Sequence, residues 1–158
     1  MSQDGKDIGK LLKNIQEGLQ RFSVQELNKA ITSYIKKRSI ADMGNIIEYA
    51  LKLVCDEYDI SRRSLMSNNK KRATQDAKRI AYTLLHDELG LTIRYIASNV
   101  FSCYPNTVVS GISKLKSADA NIKHEKVWLD KYFKLRKKMT DKIAEQKQIQ
   151  HIEHENIS

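Results

Sequence analysis

The chain has little of what interrupts helices or crosslinks segments: one proline, six glycines and two cysteines in 158 residues. Helices tolerate proline and glycine least, so their scarcity favours an all-α fold. Cys55 and Cys103 are too few for a disulfide framework and lack metal-site spacing, which predicts two buried, reduced thiols. No apolar run approaches the roughly 20 residues of a membrane span, and residues 1–5 are polar rather than signal-like. We therefore expect a soluble, cytoplasmic protein.

Positive charge is abundant, and most of its excess lies in the middle third of the chain. The net charge is +9, from 28 Lys and Arg against 19 Asp and Glu. Residues 61–117 hold ten basic and three acidic side chains, whereas residues 1–60 hold nine of each. Such clustering is typical of a surface that meets a polyanion such as nucleic acid. A basic surface kept for solubility is the alternative.

Apolar periodicity predicts helices over residues 6–20, 23–37 and 43–58, the second opened by a capping box, Ser23 with Glu26. A turn at 61–66 and a polar, basic loop at 67–72 come next. The most amphipathic segment follows the loop, with a buried stripe of Ala77, Ile80, Ala81, Leu84 and Leu85. Lys78 falls on the flank of this stripe and Arg79 opposite it. Gly90 is the expected left-handed cap at its end.

The segment from Thr92 to Lys116 predicts a helix-turn-helix. A short helix carries Ile93, Ile96, Ala97 and Val100 at helical spacing. A tight connection, 101–104, leads to Pro105, a residue favoured in the first turn of a helix. The next helix turns Val108, Ile112 and Leu115 to a core. Its opposite face is made of short polar side chains: Asn106, Ser110, Ser113 and Ser117, with Thr107 and Lys114 at the edge. A helix that enters the major groove has this form; two core helices with a serine-rich exterior are the alternative.

The stretch from about Ile47 to Leu115 resembles the C-terminal DNA-binding domain of the bacterial replication initiator DnaA. Five pieces carry the resemblance in the same order: Tyr58-Asp59-Ile60 with Leu65-Met66-Ser67; the loop Asn69–Arg72; Lys78-Arg79-Ile80-Ala81 with Leu84; Ile93 with Ile96-Ala97; and Asn106-Thr107-Val108-Val109 with Lys114-Leu115. The resemblance implies a helix-turn-helix bundle that binds duplex DNA.

The same resemblance implies roles for individual residues. Lys70, with Lys71 and Arg72 beside it, occupies the position of an arginine that enters the minor groove. Lys78 corresponds to an arginine on the preceding helix and is a candidate phosphate contact. The positions that read base edges in the major groove are held by Tyr104, Pro105, Asn106 and Thr107. With Ser110 and Lys114 from the polar face, these residues form the candidate DNA-binding set.

The chain departs from the family where base reading is concentrated. Residues 101–105 read Phe-Ser-Cys-Tyr-Pro in place of Gly-Gly-Arg-Asp-His. Proline has no donor, and tyrosine substitutes poorly for a carboxylate that accepts from cytosine. The family's recognition sequence therefore does not carry over, and the resemblance implies a retained fold with altered or weakened specificity.

An ATPase module is not expected. The segment 5–11 has three residues between its glycines instead of the four of a phosphate-binding loop, and Leu11 where Ser or Thr would bind magnesium. Acidic clusters at 56–59 and 87–88 would suit a metal-dependent nuclease, but solvated helix ends explain them better. A basic run, 136–138, either adds phosphate contacts or solvates its helix. We expect no enzyme activity, cofactor or metal.

Three regions follow from these patterns. Residues 1–40 are N-terminal helices that would support a homodimer or hold a protein partner. Residues 41–117 are the helix-turn-helix domain. Residues 118–158 are one long basic helix from Asp119 to about Ile149 with a flexible tail, docked by Val127, Trp128, Tyr132, Leu135 and Met139. The expected function is a DNA-binding regulator of transcription or replication; the alternative is a protein-interaction module that kept the fold and lost sequence-specific DNA binding.

Overall fold

The computed structural model describes the backbone of residues 3–157, and the side chains of residues 7–33, 42–149, 151–153 and 155. The described chain is helical and contains no strand, which confirms the all-α prediction. The helices are α1 (Gln3–Arg21), α2 (Val24–Tyr58), α3 (Arg62–Met66), α4 (Arg72–Thr83), α5 (Ile93–Tyr95), α6 (Pro105–Lys116) and α7 (Lys123–Ile157). In addition, α4 and α5 each run on into a wider π-helical turn, Leu84–Glu88 and Ile96–Phe101.

The chain divides into two compact units, one of Met1–Asn45 with Ala144–Ser158 and one of Ile46–Ile143. In the first unit, the predicted helix over 6–20 is confirmed as part of α1. Its apolar face is not covered within the described residues: 37–56% of Ile8, Leu11, Leu12, Ile15, Leu19 and Phe22 is exposed. The predicted capping box is also confirmed, because Ser23 N–H donates to Glu26 Oε2 (2.9 Å) and Glu26 N–H to Ser23 Oγ (3.3 Å).

The break predicted between residues 37 and 43 is wrong, because α2 runs unbroken from Val24 to Tyr58. No proline interrupts the segment, and the single Gly44 costs a helix only about 1 kcal/mol relative to alanine. The turn predicted at 61–66 is a short helix, α3, capped by the Ser61 hydroxyl, which accepts from Ser64 N–H at 3.0 Å. Arg72, predicted in the loop, is the first residue of α4.

The second unit has a core to which α2, α3, α4, α6, α7 and the two π-helical turns contribute. The whole predicted stripe of α4 is buried, as are Leu51, Val54, Leu65, Ile96, Val108, Leu115, Leu135 and Met139. Gly90 has a φ of +67°, which confirms it as the left-handed cap. The last helix begins at Lys123 rather than Asp119, since residues 118–122 form a turn in which the Asp119 carboxylate accepts from Asn121 N–H at 2.8 Å.

Docking of α7 was predicted for five side chains and holds for four. Trp128, Tyr132, Leu135 and Met139 are buried, at spacings of four, three and four residues. The prediction is wrong for Val127, which is 52% exposed. The prediction failed because Val127 precedes Trp128 by one residue, about 100° around the helix, and the larger ring takes the core position.

Candidate nucleic-acid interface

The helix-turn-helix geometry is built from local hydrogen bonds. Thr92 Oγ1 accepts from Tyr95 N–H (3.2 Å) and opens α5. The π-helical end of α5 is closed by Ser102 in the left-handed conformation (φ 51°, ψ 51°) and by Cys103 N–H donating to Ala97 carbonyl oxygen at 2.9 Å. Tyr104 is then the N-cap of α6, and Pro105 is its first residue, as predicted.

The inner face of α6 packs tightly against α4. Val108, Ile112 and Leu115 are buried, as predicted. Gly111 lies between them, where an added Cβ atom would be 2.7 Å from Tyr82 Cδ2. The Tyr82 ring is itself held edge-on by Phe101, with ring centroids 4.7 Å apart. This close approach fixes the rotation of α6 about its axis, and so determines which residues face outward.

The outer face of α6 is open. Asn106, Thr107, Val109, Ser110, Ser113 and Lys114 are all exposed, and Tyr104 is 82% exposed at the N-cap. No side chain caps this helix, and the Asn106 amide has no hydrogen-bond partner among the described residues. Its donors and acceptors are therefore available to a ligand, and the helix does not depend on them for its own termination.

The basic loop is ordered by its polar side chains. Ser67 Oγ donates to the Ser64 carbonyl at 2.7 Å and accepts from Asn69 N–H at 3.2 Å. Asn69 Oδ1 accepts from Lys71 N–H at 2.9 Å, and Gln75 Nε2 donates to the Asn69 carbonyl at 2.6 Å. These bonds hold the backbone while Lys70 and Lys71 remain exposed, without an acidic partner in the described part of the chain.

Lys78 lies between this loop and the turn of the helix-turn-helix. Its ammonium group donates to the carbonyl oxygen of Ser67 and lies close enough to the Cys103 thiol to interact electrostatically. Burial lowers the pKa of Lys78, and the nearby Cys103 partly opposes that shift. The side chain predicted to contact phosphate thus already has a protein acceptor, which holds the loop against α4.

Arg72 and Lys114 line one cleft of about 280 Å³, between the start of α4, the end of α6 and the start of α7. Arg79 and Trp128 contribute to its walls. The Arg79 guanidinium carbon is 5.8 Å from the Trp128 ring centroid, and Arg79 Nη1 is 3.2 Å from Asp76 Oδ1. Helical periodicity correctly predicts that Arg79 lies opposite the apolar stripe of α4. It does not predict that α7 covers this side of the helix.

The acidic clusters pair with basic side chains of other helices. Lys134 Nζ is 2.7 Å from Glu57 Oε2, and Arg136 Nε is 2.8 Å from Glu88 Oε1. Asp87 pairs with Lys116 at 3.1 Å. Part of the basic run on α7 therefore bridges helices. Among the described residues, no three His, Cys, Asp or Glu side chains are grouped so as to hold a metal ion, and no helix is long and apolar enough to cross a membrane.

Comparison with known proteins finds a distant similarity to a replication initiator. The chain is 26% identical over 122 residues to the "Chromosomal replication initiator protein DnaA" of Leptospira biflexa serovar Patoc, in strains Patoc 1 / Ames and Patoc 1 / ATCC 23582 / Paris. The aligned region is 77% of this chain but 26% of each relative, so the chain spans about a quarter of their length. No protein-family model and no solved structure matches the chain.

Proposed function

We propose that this protein binds duplex DNA, with α6 in the major groove and residues 69–72, which are the basic part of the loop and the first residue of α4, on the adjoining backbone or in the minor groove. It would act as a regulator of transcription or replication, as a binding protein without an ATPase module. The observation that carries the proposal is the open face of α6: short polar side chains and Lys114, with no carboxylate, beside an ordered loop that exposes Lys70 and Lys71.

The comparisons support this proposal in one respect. The relatives are named as chromosomal replication initiators. The resemblance to the C-terminal DNA-binding domain rests on the stretch from Ile47 to Leu115, and the aligned region, at 122 residues, is long enough to include that stretch. We propose that the unit Ile46–Ile143 corresponds to that domain.

The second candidate is a protein-interaction module. It is favoured by Tyr104 and Pro105, which replace base-reading residues and place an 82% exposed aromatic ring at the start of α6. The exposed apolar face of α1 also fits a homodimer or a protein partner held by the N-terminal helices. Such partners are compatible with DNA binding, so only the DNA measurement separates the two candidates.

Fluorescence anisotropy with a random-sequence 30-base-pair duplex at several salt concentrations tests the proposal. We expect binding in the micromolar range or tighter at low salt. The affinity should fall steeply as salt rises, because each neutralised phosphate adds about −0.9 to the slope of log K against log salt. Lys70→Ala with Lys71→Ala should weaken binding and flatten this slope. The control pair, Lys29→Ala with Lys52→Ala, removes the same charge at exposed sites of α2 and should change both much less. Absent binding at low salt, or equal effects of the two pairs, would rule out this interface.

A further inference from the structure

The outer face of α6 combines an amide, a branched apolar side chain and two hydroxyl groups. At about 100° per residue, Asn106, Val109, Ser110 and Ser113 fall within one sector of roughly 100°, centred away from the buried residues. All four are exposed, and Val109 is 49% exposed in a helix that has buried side chains on its other side. The Val109 side chain is therefore free to make an apolar contact with a ligand.

Two of these side chains, Asn106 and Val109, match features of A·T pairs in the major groove. An asparagine amide can bond to adenine N6 and N7 together, and an apolar side chain can contact the C5-methyl group of thymine. Hydroxyl groups such as that of Ser110 accept or donate to any base. The Asn106 amide is unengaged among the described side chains, so it can supply both bonds without breaking one within the protein.

The groups that read G·C pairs are missing from the same sector. Guanine is read chiefly by arginine or lysine, and cytosine N4 by a carboxylate. The sequence of α6 contains no arginine and no acidic residue. Its basic residues are both in the last turn, where Lys114 lines the cleft with Arg72 and Lys116 pairs with Asp87. These lysines therefore lie away from the first two turns, which approach base edges most closely in this class of motif.

We propose that α6 reads A·T pairs, with Asn106 on an adenine and Val109 against the methyl group of a thymine. The proposal rests on the proposed function, that α6 enters the major groove. It adds the class of site, and it makes Val109 a specificity-determining residue at a position for which the sequence patterns indicated no role.

Substituting deoxyuridine for thymidine tests the methyl contact directly, because it removes the C5-methyl group and leaves base pairing intact. A site is first selected from a random library with the full-length protein. Each thymine is then replaced singly by uracil, and affinity is measured by anisotropy. We expect one or two positions at which uracil weakens binding by about fourfold, the value for one buried methyl-sized group. Val109→Ala, whose shorter side chain reaches less far toward the methyl group, should reduce the preference for thymine there.

Val127→Ala is the matched control, since Val127 is 52% exposed on α7, and it should keep the parental preference for thymine. Enriched sites should also be richer in A·T than the starting library. The inference is overturned if uracil is neutral at every position, if Val109→Ala keeps the full preference, or if duplex binding occurs without any enrichment. The last result would leave DNA binding standing, whereas absent binding at low salt would remove both proposals.

Discussion

The ammonium group of Lys78, on α4, donates a hydrogen bond to the backbone carbonyl of Ser67, at the start of the basic loop. The two residues are eleven positions apart, and the bond ties the loop to the helix on which α6 packs. The same ammonium group is within electrostatic range of Cys103, in the connection between α5 and α6. The half-buried Lys78 therefore interacts with both the basic loop and the connection before α6, the two parts proposed to contact DNA.

Lys78→Met keeps the aliphatic stem of the side chain and removes this bond. We expect weaker binding to all duplex sequences alike, because the loop would lose its anchor while the face of α6 proposed to read bases would be unchanged. Faster hydrogen exchange at the amides of Asn69 and Lys71 should accompany the loss. A variant whose loop exchanges as slowly as in the parent, or whose affinity falls for the selected site alone, would contradict this role.

Gly111→Ala should destabilise the fold. The added Cβ would be 2.7 Å from the buried Tyr82 ring, and overpacking of this kind costs about 1–3 kcal/mol, against a gain of at most about 1 kcal/mol in helix propensity. Gly44→Ala is the control, because a Cβ there meets nothing within 4 Å and should stabilise by up to about 1 kcal/mol. Urea unfolding of both variants measures the contrast; equal effects would mean that α6 does not approach α4 so closely.

Asn106→Ala separates a base-reading role from a structural one. The discrimination at one base pair of a selected site should fall by about 1–3 kcal/mol, because the amide would no longer bond to a base edge. The melting temperature should hardly move, since Tyr104 is the N-cap and the Asn106 amide makes no bond within the described residues. A helix cap would instead lose about 1 kcal/mol of stability. Unchanged site preference together with a lowered melting temperature would identify α6 as a structural helix only.

Stability should fall at alkaline pH through Tyr82. Burial raises the pKa of its phenol, and the neighbouring Cys103 adds to the shift. Above about pH 10 the unfolded chain releases this proton while the folded chain retains it, so unfolding is favoured as pH rises, by at most about 1.4 kcal/mol per pH unit for each proton. Lys78 has the opposite effect on stability. Because its pKa is lowered in the folded chain, the folded chain releases this proton at a lower pH than the unfolded chain, and the free energy of unfolding rises as pH approaches 10.5.

Tyr82→Phe should therefore flatten the fall in the free energy of unfolding between pH 10 and 11, measured by urea titration. Burial also raises the pKa of Tyr58, so part of the fall should remain in this variant. The control is Tyr104→Phe, at an 82% exposed ring, which should leave the slope as in the parent protein. A slope unaffected by Tyr82→Phe would mean that its phenol is not buried in solution.

Much of the fold could be predicted because its signals are local. The capping box at Ser23, the left-handed Gly90 and the first-turn Pro105 act within one or two turns of helix, and all three lie where their residue types indicate. The buried faces of α4 and α6 follow from a 3.6-residue period. The predicted break in α2 is wrong because a change in apolar pattern does not end a helix where no residue stops it.

The roles assigned to Lys70, Lys71, Arg72, Lys78, Tyr104, Asn106, Thr107, Ser110 and Lys114 remain predictions. The structure does separate them by environment. Lys70 and Asn106 are exposed and unengaged, Arg72 pairs weakly with Asp76 at 3.9 Å, and Lys78 is held within the protein. No periodic pattern distinguishes an engaged lysine from a free one, because the difference depends on an acceptor elsewhere in the chain.

The starts of α2 and α6, the apolar faces of α4 and α6, and the excess positive charge of residues 61–117 could all be predicted from the amino-acid sequence, since each depends on neighbours within a few turns. Which basic side chains are free to bind a ligand depends on the tertiary structure. Trp128 donates to the Asp76 carbonyl from 52 residues away, and Lys134 meets Glu57 from 77 residues away. Such contacts depend on how α7 docks, which is set by the fit of buried side chains from several helices at once.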